Sequence, residues 1–112
     1  MKYDFEIMGV RAAVAEGFRE RTRGLIGRPP PEPGCGLLIP KCNAIHTFFM
    51  RYPIDATFLD GNGNVVKTVR NIKPWTPFVW GGWRARSVLE TRSAATLDPQ
   101  PETRNPAPQG AI

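Results

Sequence analysis

Glycine and proline interrupt this chain so often that long helices are excluded. The sequence has 112 residues, of which 11 are glycine and 12 are proline. Because proline ends helices and both residues favour turns, most helices and strands must be short. A chain of this length forms one small domain with one modest core. Apolar residues make up 41% of it, which is enough for that core and too many for general disorder.

Two sequence patterns locate the main strands. The stretch DGNGN at residues 60–64 separates two strand-like runs, 54–59 and 65–69. It predicts a tight hairpin, because Gly and Asn tolerate the positive φ that such turns need. The stretch AIHTFFM at residues 44–50 is rich in β-branched and aromatic side chains, and we interpret it as the central strand.

One short helix is predicted at about residues 16–26, where apolar side chains recur at helical spacing before the run Pro29–Pro31. The predicted fold class is therefore mostly β (α+β), a small curled antiparallel sheet or partial barrel with this one helix. Residues 1–97 form the predicted single globular domain. Residues 98–112 carry four prolines and few apolar side chains, which predicts a flexible tail.

Several classes of protein are excluded by composition. No apolar run approaches the roughly 18 to 20 residues of a membrane span. Asp4 and Glu6 interrupt the N-terminal stretch where a signal peptide would have its apolar core. We therefore expect a cytoplasmic protein with no membrane partner. Two cysteines, Cys35 and Cys42, are too few for a secreted disulfide scaffold, and whether they pair is left open.

The single histidine, His46, lies in the chemically richest stretch of the chain, residues 42–50. On an extended segment, residues two apart share a face, so this imidazole would project with apolar neighbours. One titratable group among apolar side chains is typical of a small-ligand pocket. The alternative is that His46 donates to a backbone carbonyl and closes the core. The predicted lining of the pocket comprises Cys42, His46, Phe48, Met50, Asp55, Trp75 and Glu90.

The distances between residues along a strand bear on both metal binding and thiol catalysis. Cys42, His46 and Met50 are four residues apart, a donor set that suggests copper. On a strand, however, such residues lie roughly 13 Å apart, and a blue-copper site needs a second histidine. We therefore expect no metal and no cofactor. The same separation weighs against a Cys42–His46 nucleophilic pair, so a thiol/His enzyme is kept only as an alternative.

A basic charge balance supports a further alternative. The net charge is +5, and three tryptophans (Trp75, Trp80 and Trp83) crowd into nine residues. Aromatic and basic side chains together can stack and hold nucleic-acid bases, although such tryptophans can equally cap a small barrel. The candidate nucleic-acid contacts are Arg70, Lys73, Arg84 and Arg86. The leading interpretation is a non-enzymatic module that binds a small molecule or peptide. The alternative is a nucleic-acid-binding or transcription-regulator-associated module.

Four ordered motifs resemble the signature of the domain of unknown function 192 family of small bacterial and archaeal proteins. They are ERTRGLIGR at 20–28, CNAIHTFFM at 42–50, PID leading to FLD and GNVV over 53–66, and VLE at 88–90. The resemblance covers about residues 10–92. It implies a compact β-rich domain with one or two short helices, and it implies no activity, substrate or cofactor.

The chain departs from that family after Glu90. The family usually continues with a glycine-containing turn and a final strand that bears a Gly-Asp pair. Here Thr91 leads instead into the proline-rich tail. The departure predicts an open sheet edge, available for edge-strand pairing with a partner or for a homodimer.

Overall fold

The computed structural model describes residues 5–15, 17, 21 and 23–94. The predicted tail at 98–112 lies outside the described residues, as do several positions of the predicted helix at 16–26. Of the described residues in that range, 17, 21 and 23 are helical, but residues 24–27 form turns, and the Ile26 amide donates to the Arg23 carbonyl at 3.0 Å. The short helix is therefore not established. The division into a domain and a tail stays a prediction.

Eight strands form among the described residues. In chain order they are β1 (Phe5–Ile7), β2 (Val10–Val14), β3 (Cys35–Pro40), β4 (Ala44–Ile45), β5 (Ile54–Leu59), β6 (Val65–Ile72), β7 (Val79–Trp80) and β8 (Ser87–Arg92).

Six strands build one open sheet in the order β1-β2-β3-β8-β5-β6. Its neighbours are antiparallel except for β2 and β3, which run parallel because the chain crosses over through residues 15–34 between them. β4 and β7 pair in a separate two-stranded sheet. The mostly β fold and the open, unclosed sheet are confirmed. β1 and β6 form the two edges of this sheet. The pairing of an edge with a partner stays a prediction.

The predicted hairpin is present between β5 and β6. The Asp60 Oδ1 atom accepts hydrogen bonds from the backbone amides of Asn62 and Asn64, both at 2.9 Å. Gly63 adopts a φ of +84°, which a side chain would strain. Local turn chemistry therefore sets this register, as the DGNGN stretch indicates.

Three of the four inner strands, β3, β8 and β5, carry the central part of the core. Phe58 and Val88 are fully buried at the centre of it. Gly81, next to β7, packs directly on the Phe58 ring, where any side chain would collide with that ring. This close approach holds the small β4–β7 sheet against the large one.

The prediction of a central strand at 44–50 is wrong, because only Ala44–Ile45 is a strand and it belongs to the small β4–β7 sheet. The chain turns at Thr47–Met50, where the Met50 amide donates to the Thr47 carbonyl at 3.1 Å and Phe49 adopts a φ of +67°. The predicted alternation fails with it, since His46 is exposed and Thr47 is buried. Hydrogen bonds from Thr47 to a distant loop outweigh the strand preference of this apolar run.

Candidate functional site

A cavity of about 200 Å³ opens against the apolar face of the inner strands. One wall is formed by Arg21 and residues 23–26, which precede β3, and another by residues from the segment 42–50, which precedes β5. Glu90 on β8 forms part of its floor, between Ile39 of β3 and Ile54 of β5. We call it the Glu90 cavity.

Four of the seven predicted pocket residues meet at the Glu90 cavity. Cys42, His46, Met50 and Glu90 line it, whereas Phe48, Asp55 and Trp75 do not. The shared strand face on which that prediction rested does not exist. The four residues converge because the 46–50 turn brings His46 and Met50 back beside Cys42.

Glu90 places a carboxyl group on the otherwise apolar face of β8. Its cross-strand neighbours are Leu37 on β3 and Ala56 on β5, and opposed residues share one face of a sheet. The residue is only 4% exposed. Among the described residues, no hydrogen bond or ion pair reaches its carboxyl. Burial raises the pKa of Glu90 from 4.5 to about 7, because the charged form loses its hydration.

Cys42 is a protonated thiol in this cavity, not an activated nucleophile. Burial raises the pKa of its thiol, and the nearby Glu90 charge adds to the effect, while the charge of Arg21 opposes it. The Sγ atom donates to the Ala44 carbonyl at 3.1 Å. Cys35 and Cys42 are both free thiols. Thiol catalysis requires the opposite shift, toward the thiolate.

His46 stands exposed at the side of the Glu90 cavity. Its Nδ1 atom accepts the Phe48 backbone amide at 3.1 Å, so a proton on the neutral ring belongs on Nε2. The ring also contacts the Phe48 ring, with centroids 5.0 Å apart. The imidazole is therefore held by its neighbours and is not hydrogen-bonded to the Cys42 thiol.

Two arginines that were not among the predicted pocket residues also line the cavity. The exposed Arg23 donates through Nε to the Ile26 carbonyl at 2.9 Å. Arg21 is half-buried, and within the described part of the chain its guanidinium has no hydrogen bond or ion pair. The motif ERTRGLIGR contains both residues and was the available signal. The large apolar side chains around them are Leu25, Ile26, Ile39, Ile45, Met50 and Ile54.

Thr47 holds the 46–50 turn in place. Its Oγ1 donates to the Lys73 carbonyl at 2.7 Å and accepts the Thr76 amide at 2.8 Å. Its backbone amide donates to the Thr76 carbonyl, and its carbonyl accepts the Trp75 amide. Two loops that are distant in sequence are thereby locked together. Sequence reasoning missed Thr47, since nothing local marks a buried hydroxyl.

Phe48, Phe49 and Trp75 form an aromatic cluster on the outer side of this lock. The Trp75 ring lies 6.0 Å from Phe48 and 4.8 Å from Phe49, measured between centroids. Phe49 and Trp75 are mostly exposed, and both have a φ of +67°. Trp75 therefore belongs to a surface next to the Glu90 cavity, not to its lining.

Asp55 has a structural environment. Its Oδ1 accepts the Asn71 amide at 2.8 Å, its Oδ2 accepts the Ala94 amide at 3.2 Å, and the exposed Arg70 lies 3.5 Å away. These contacts tie β5 to the end of β6 and to the chain after β8.

The predicted nucleic-acid residues are spread over several places. Trp80 and Trp83 contact each other edge to face, with ring centroids 5.0 Å apart, and Trp83 is 83% exposed. The Arg86 side chain donates to the Trp83 carbonyl at 2.8 Å. Arg70 pairs instead with Asp55, and Lys73 lies in the loop held by Thr47.

Comparison with known sequences decides the family. The sequence profile of the domain of unknown function 192 (DUF192) family, described as an uncharacterized ACR, matches residues 4–98. The chain belongs to this family. The resemblance carried by the four motifs is thereby confirmed.

Curated relatives of this DUF192 chain are UPF0127 proteins of archaea. One from Thermococcus sibiricus is 35% identical over 85 residues, which is 72% of this chain and 54% of the relative. One from Pyrococcus horikoshii is 37% identical over 81 residues, which is 69% of this chain and 68% of the relative. The DUF192 chain thus spans about half the length of the Thermococcus protein.

Solved structures share the fold at low sequence identity. A protein of unknown function from Novosphingobium aromaticivorans superposes with a TM-score of 0.69 at 18% identity, covering 78% of this chain and 66% of the other. A Sinorhizobium meliloti protein, provisionally described as a transcription regulator, gives a TM-score of 0.70 at 18% identity, covering 78% and 71%. At this identity the likeness concerns the DUF192 fold alone.

Two absences apply to the described ranges. No helix there is long and apolar enough to cross a membrane. No group of three or more His, Cys, Asp or Glu side chains there is placed to hold a metal ion.

Proposed function

We propose that this DUF192 protein binds a small ligand in the Glu90 cavity without transforming it. The observation that carries the proposal is the Glu90 carboxyl, which is buried on an apolar face and has no described partner. Buried polar groups are normally hydrogen-bonded, and an unpartnered one in a cavity is a candidate for ligand recognition. A ligand that hydrogen-bonds to Glu90 would offset the cost of burying it.

The size of the cavity limits the ligand. A volume of about 200 Å³ corresponds to roughly six or seven water molecules at about 30 Å³ each. It is below the roughly 300 Å³ at which pockets for drug-sized molecules begin. The expected ligand is therefore a small metabolite with one apolar part, which would lie against Ile39, Ile45 and Ile54.

The proposal excludes Cys42 as a nucleophile. A thiol that is buried, raised in pKa and hydrogen-bonded to a backbone carbonyl is not activated. His46 could not act as its base in this arrangement, because the imidazole is hydrogen-bonded to Phe48.

A thermal-shift screen tests the proposal. The panel contains amines, carboxylic acids, amino acids and sugars small enough for the cavity. A ligand at about 100 times its Kd stabilises the folded state by about 2.7 kcal/mol, which raises the Tm by several degrees. The matched variants are Ala44→Leu, which fills the cavity, and Thr68→Leu, on the exposed face of β6. Stabilisation should disappear in the first variant and persist in the second. A panel with no stabilising compound, or stabilisation that survives Ala44→Leu, contradicts the proposal.

A second candidate function is nucleic-acid binding at the Trp80–Trp83 pair. Trp83 is exposed beside Arg84 and Arg86, and stacking of bases on such side chains is sequence-tolerant. The description of the Sinorhizobium structure as a regulator is compatible with it. A titration with single- and double-stranded oligonucleotides should show binding that weakens steeply with salt and is lost in Trp83→Ala. Binding that is insensitive to salt, or to this substitution, argues against this site.

A further inference from the structure

We infer that the ligand of the Glu90 cavity is a zwitterion, an α-amino acid with a small aliphatic side chain, whose ammonium group binds Glu90 and whose carboxylate binds Arg21. The inference rests on the proposed function and names its substrate class. It follows from the way two groups of opposite charge share one cavity without contacting each other.

Arg21 supplies the first half of the argument. Its guanidinium is half-buried against the cavity and has no partner within the described residues. A guanidinium presents its donors in a planar fork that matches a carboxylate bidentately. The neighbouring Arg23 differs, since it is exposed and already donates to the Ile26 carbonyl. Arg21 is thus the better placed of the two to hold a ligand carboxylate.

Glu90 supplies the second half. No ion pair joins Glu90 to Arg21, although both line the cavity, and the raised pKa of Glu90 has burial as its cause. A buried carboxylate is stabilised by a cation placed against it. An ammonium group provides that cation and three hydrogen-bond donors.

A ligand with only one of the two charged groups would leave either Glu90 or Arg21 without a partner. A carboxylic acid would pair with Arg21 and leave Glu90 unpartnered, while an amine would pair with Glu90 and leave Arg21 unpartnered. A polar group that is withdrawn from water and left without a partner is not compensated for its lost hydration. An α-amino acid carries both charges on adjacent carbons and offers a side chain to the apolar wall at Ile39 and Ile54. The cavity volume matches a small aliphatic amino acid.

Binding should strengthen as the pH rises from about 6 to about 8, because the ammonium group needs the ionised form of Glu90. The described charged and titratable groups that line the cavity with Glu90 are Arg21, Arg23, Cys42 and His46. Burial keeps Cys42 protonated, and His46 is exposed. A His46→Gln variant, which should keep the pH dependence, separates the imidazole from the carboxyl.

Isothermal titration calorimetry on the full chain tests the inference with three related probes. L-Leucine carries both charged groups, 4-methylpentanoate lacks the amine, and 3-methylbutylamine lacks the carboxylate. Valine and alanine are titrated beside leucine to allow for the length of the side chain. The tightest amino acid should bind at least tenfold more strongly than its two truncated analogues. Amino acids that bind no better than those analogues, or that do not bind at all, overturn the inference.

Two variants assign the charges. Glu90→Gln should remove the advantage that the amine gives, and Arg21→Gln should remove the advantage that the carboxylate gives. Arg84→Gln, at an exposed arginine outside the Glu90 cavity, is the matched control and should change the affinity less than threefold. Equal losses in the two arginine variants contradict the assignment to Arg21. If a truncated analogue binds as well as the amino acid, and Ala44→Leu abolishes that binding, the cavity still binds a ligand. The proposed function then survives while the zwitterion is excluded.

Discussion

Replacing Glu90 with glutamine should make the protein progressively more stable than the wild type as the pH rises. The glutamine keeps the shape and the hydrogen-bonding atoms of the side chain but cannot ionise. In the wild type, by contrast, the carboxyl ionises while buried on the apolar face of β8, where nothing among the described residues neutralises it.

The magnitude follows from the two pKa values. Glu90 ionises at about 7 in the folded protein and at the ordinary value of 4.5 once it is exposed to water. A difference of one in pKa corresponds to about 1.4 kcal/mol, so the difference between the folded and unfolded pKa of Glu90 corresponds to about 3 kcal/mol of stability. Because the folded-state pKa is raised, the wild-type protein keeps this contribution to its stability in full below about pH 4.5 and loses it as the pH rises toward about 7. Above that value the loss is complete and constant.

Urea denaturation at several pH values measures the effect. The free energy of unfolding of Glu90→Gln, minus that of the wild type, should increase by about 3 kcal/mol from about pH 4 to about pH 8. Taking the difference at each pH cancels the titration of every other group. A gain of this size is a large fraction of the roughly 5–15 kcal/mol that stabilises a small domain.

Glu32→Gln is the matched control, since Glu32 is an exposed glutamate outside the Glu90 cavity. Its stability should follow the wild-type pH curve. If the Glu90→Gln and wild-type curves run parallel from about pH 4 to about pH 8, burial does not shift the carboxyl, and the reasoning for the whole cavity is refuted.

Three further predictions concern the framework of the site. Thr47→Val removes a hydroxyl that makes two hydrogen bonds, so it should lower the free energy of unfolding by about 1–3 kcal/mol and shift the tryptophan emission. An unchanged spectrum would contradict the role of Thr47 in joining the two loops. Gly81→Ala would make a methyl group collide with the Phe58 ring, so it should lower the free energy of unfolding, measured by thermal denaturation, by about 1–3 kcal/mol. An unchanged stability would contradict the close packing of Gly81 on Phe58. In a variant that keeps Cys42 as its one thiol, alkylation at about pH 8 should become faster when Glu90 is changed to glutamine, because the carboxylate contributes to the raised thiol pKa; an unchanged rate would count against that coupling.

The hairpin between β5 and β6 was predictable because its cause is local. The Asp60 side chain and Gly63 shape the turn through contacts within five residues. The mostly β class was predictable for a similar reason, since the density of Gly and Pro limits the length of every element. The parallel pairing of β2 with β3 was not predictable, because it depends on how residues 15–34 cross over.

Four members of the site were predicted from the sequence, but three further predicted residues, Phe48, Asp55 and Trp75, do not line the Glu90 cavity. Sequence reasoning named Cys42, His46, Met50 and Glu90, and all four line one cavity. It brought them together by a strand that ends at Ile45. Arg21 was missed because its place depends on how Arg21 and residues 23–26 pack against the sheet, which the spacing of residues in this segment does not show.

The strand prediction failed at the point where the backbone is strained. Phe49 and Trp75 both adopt a left-handed φ, which costs a bulky residue about 1–2 kcal/mol. The hydrogen bonds of Thr47 to the 73–76 loop offset that cost, and they are available only after the two loops have met. The reversal at Phe49 turns its ring toward solvent and directs Met50 into the cavity wall. The shape of the Glu90 cavity therefore depends on a contact across some 26 residues, which no pattern within residues 44–50 can encode.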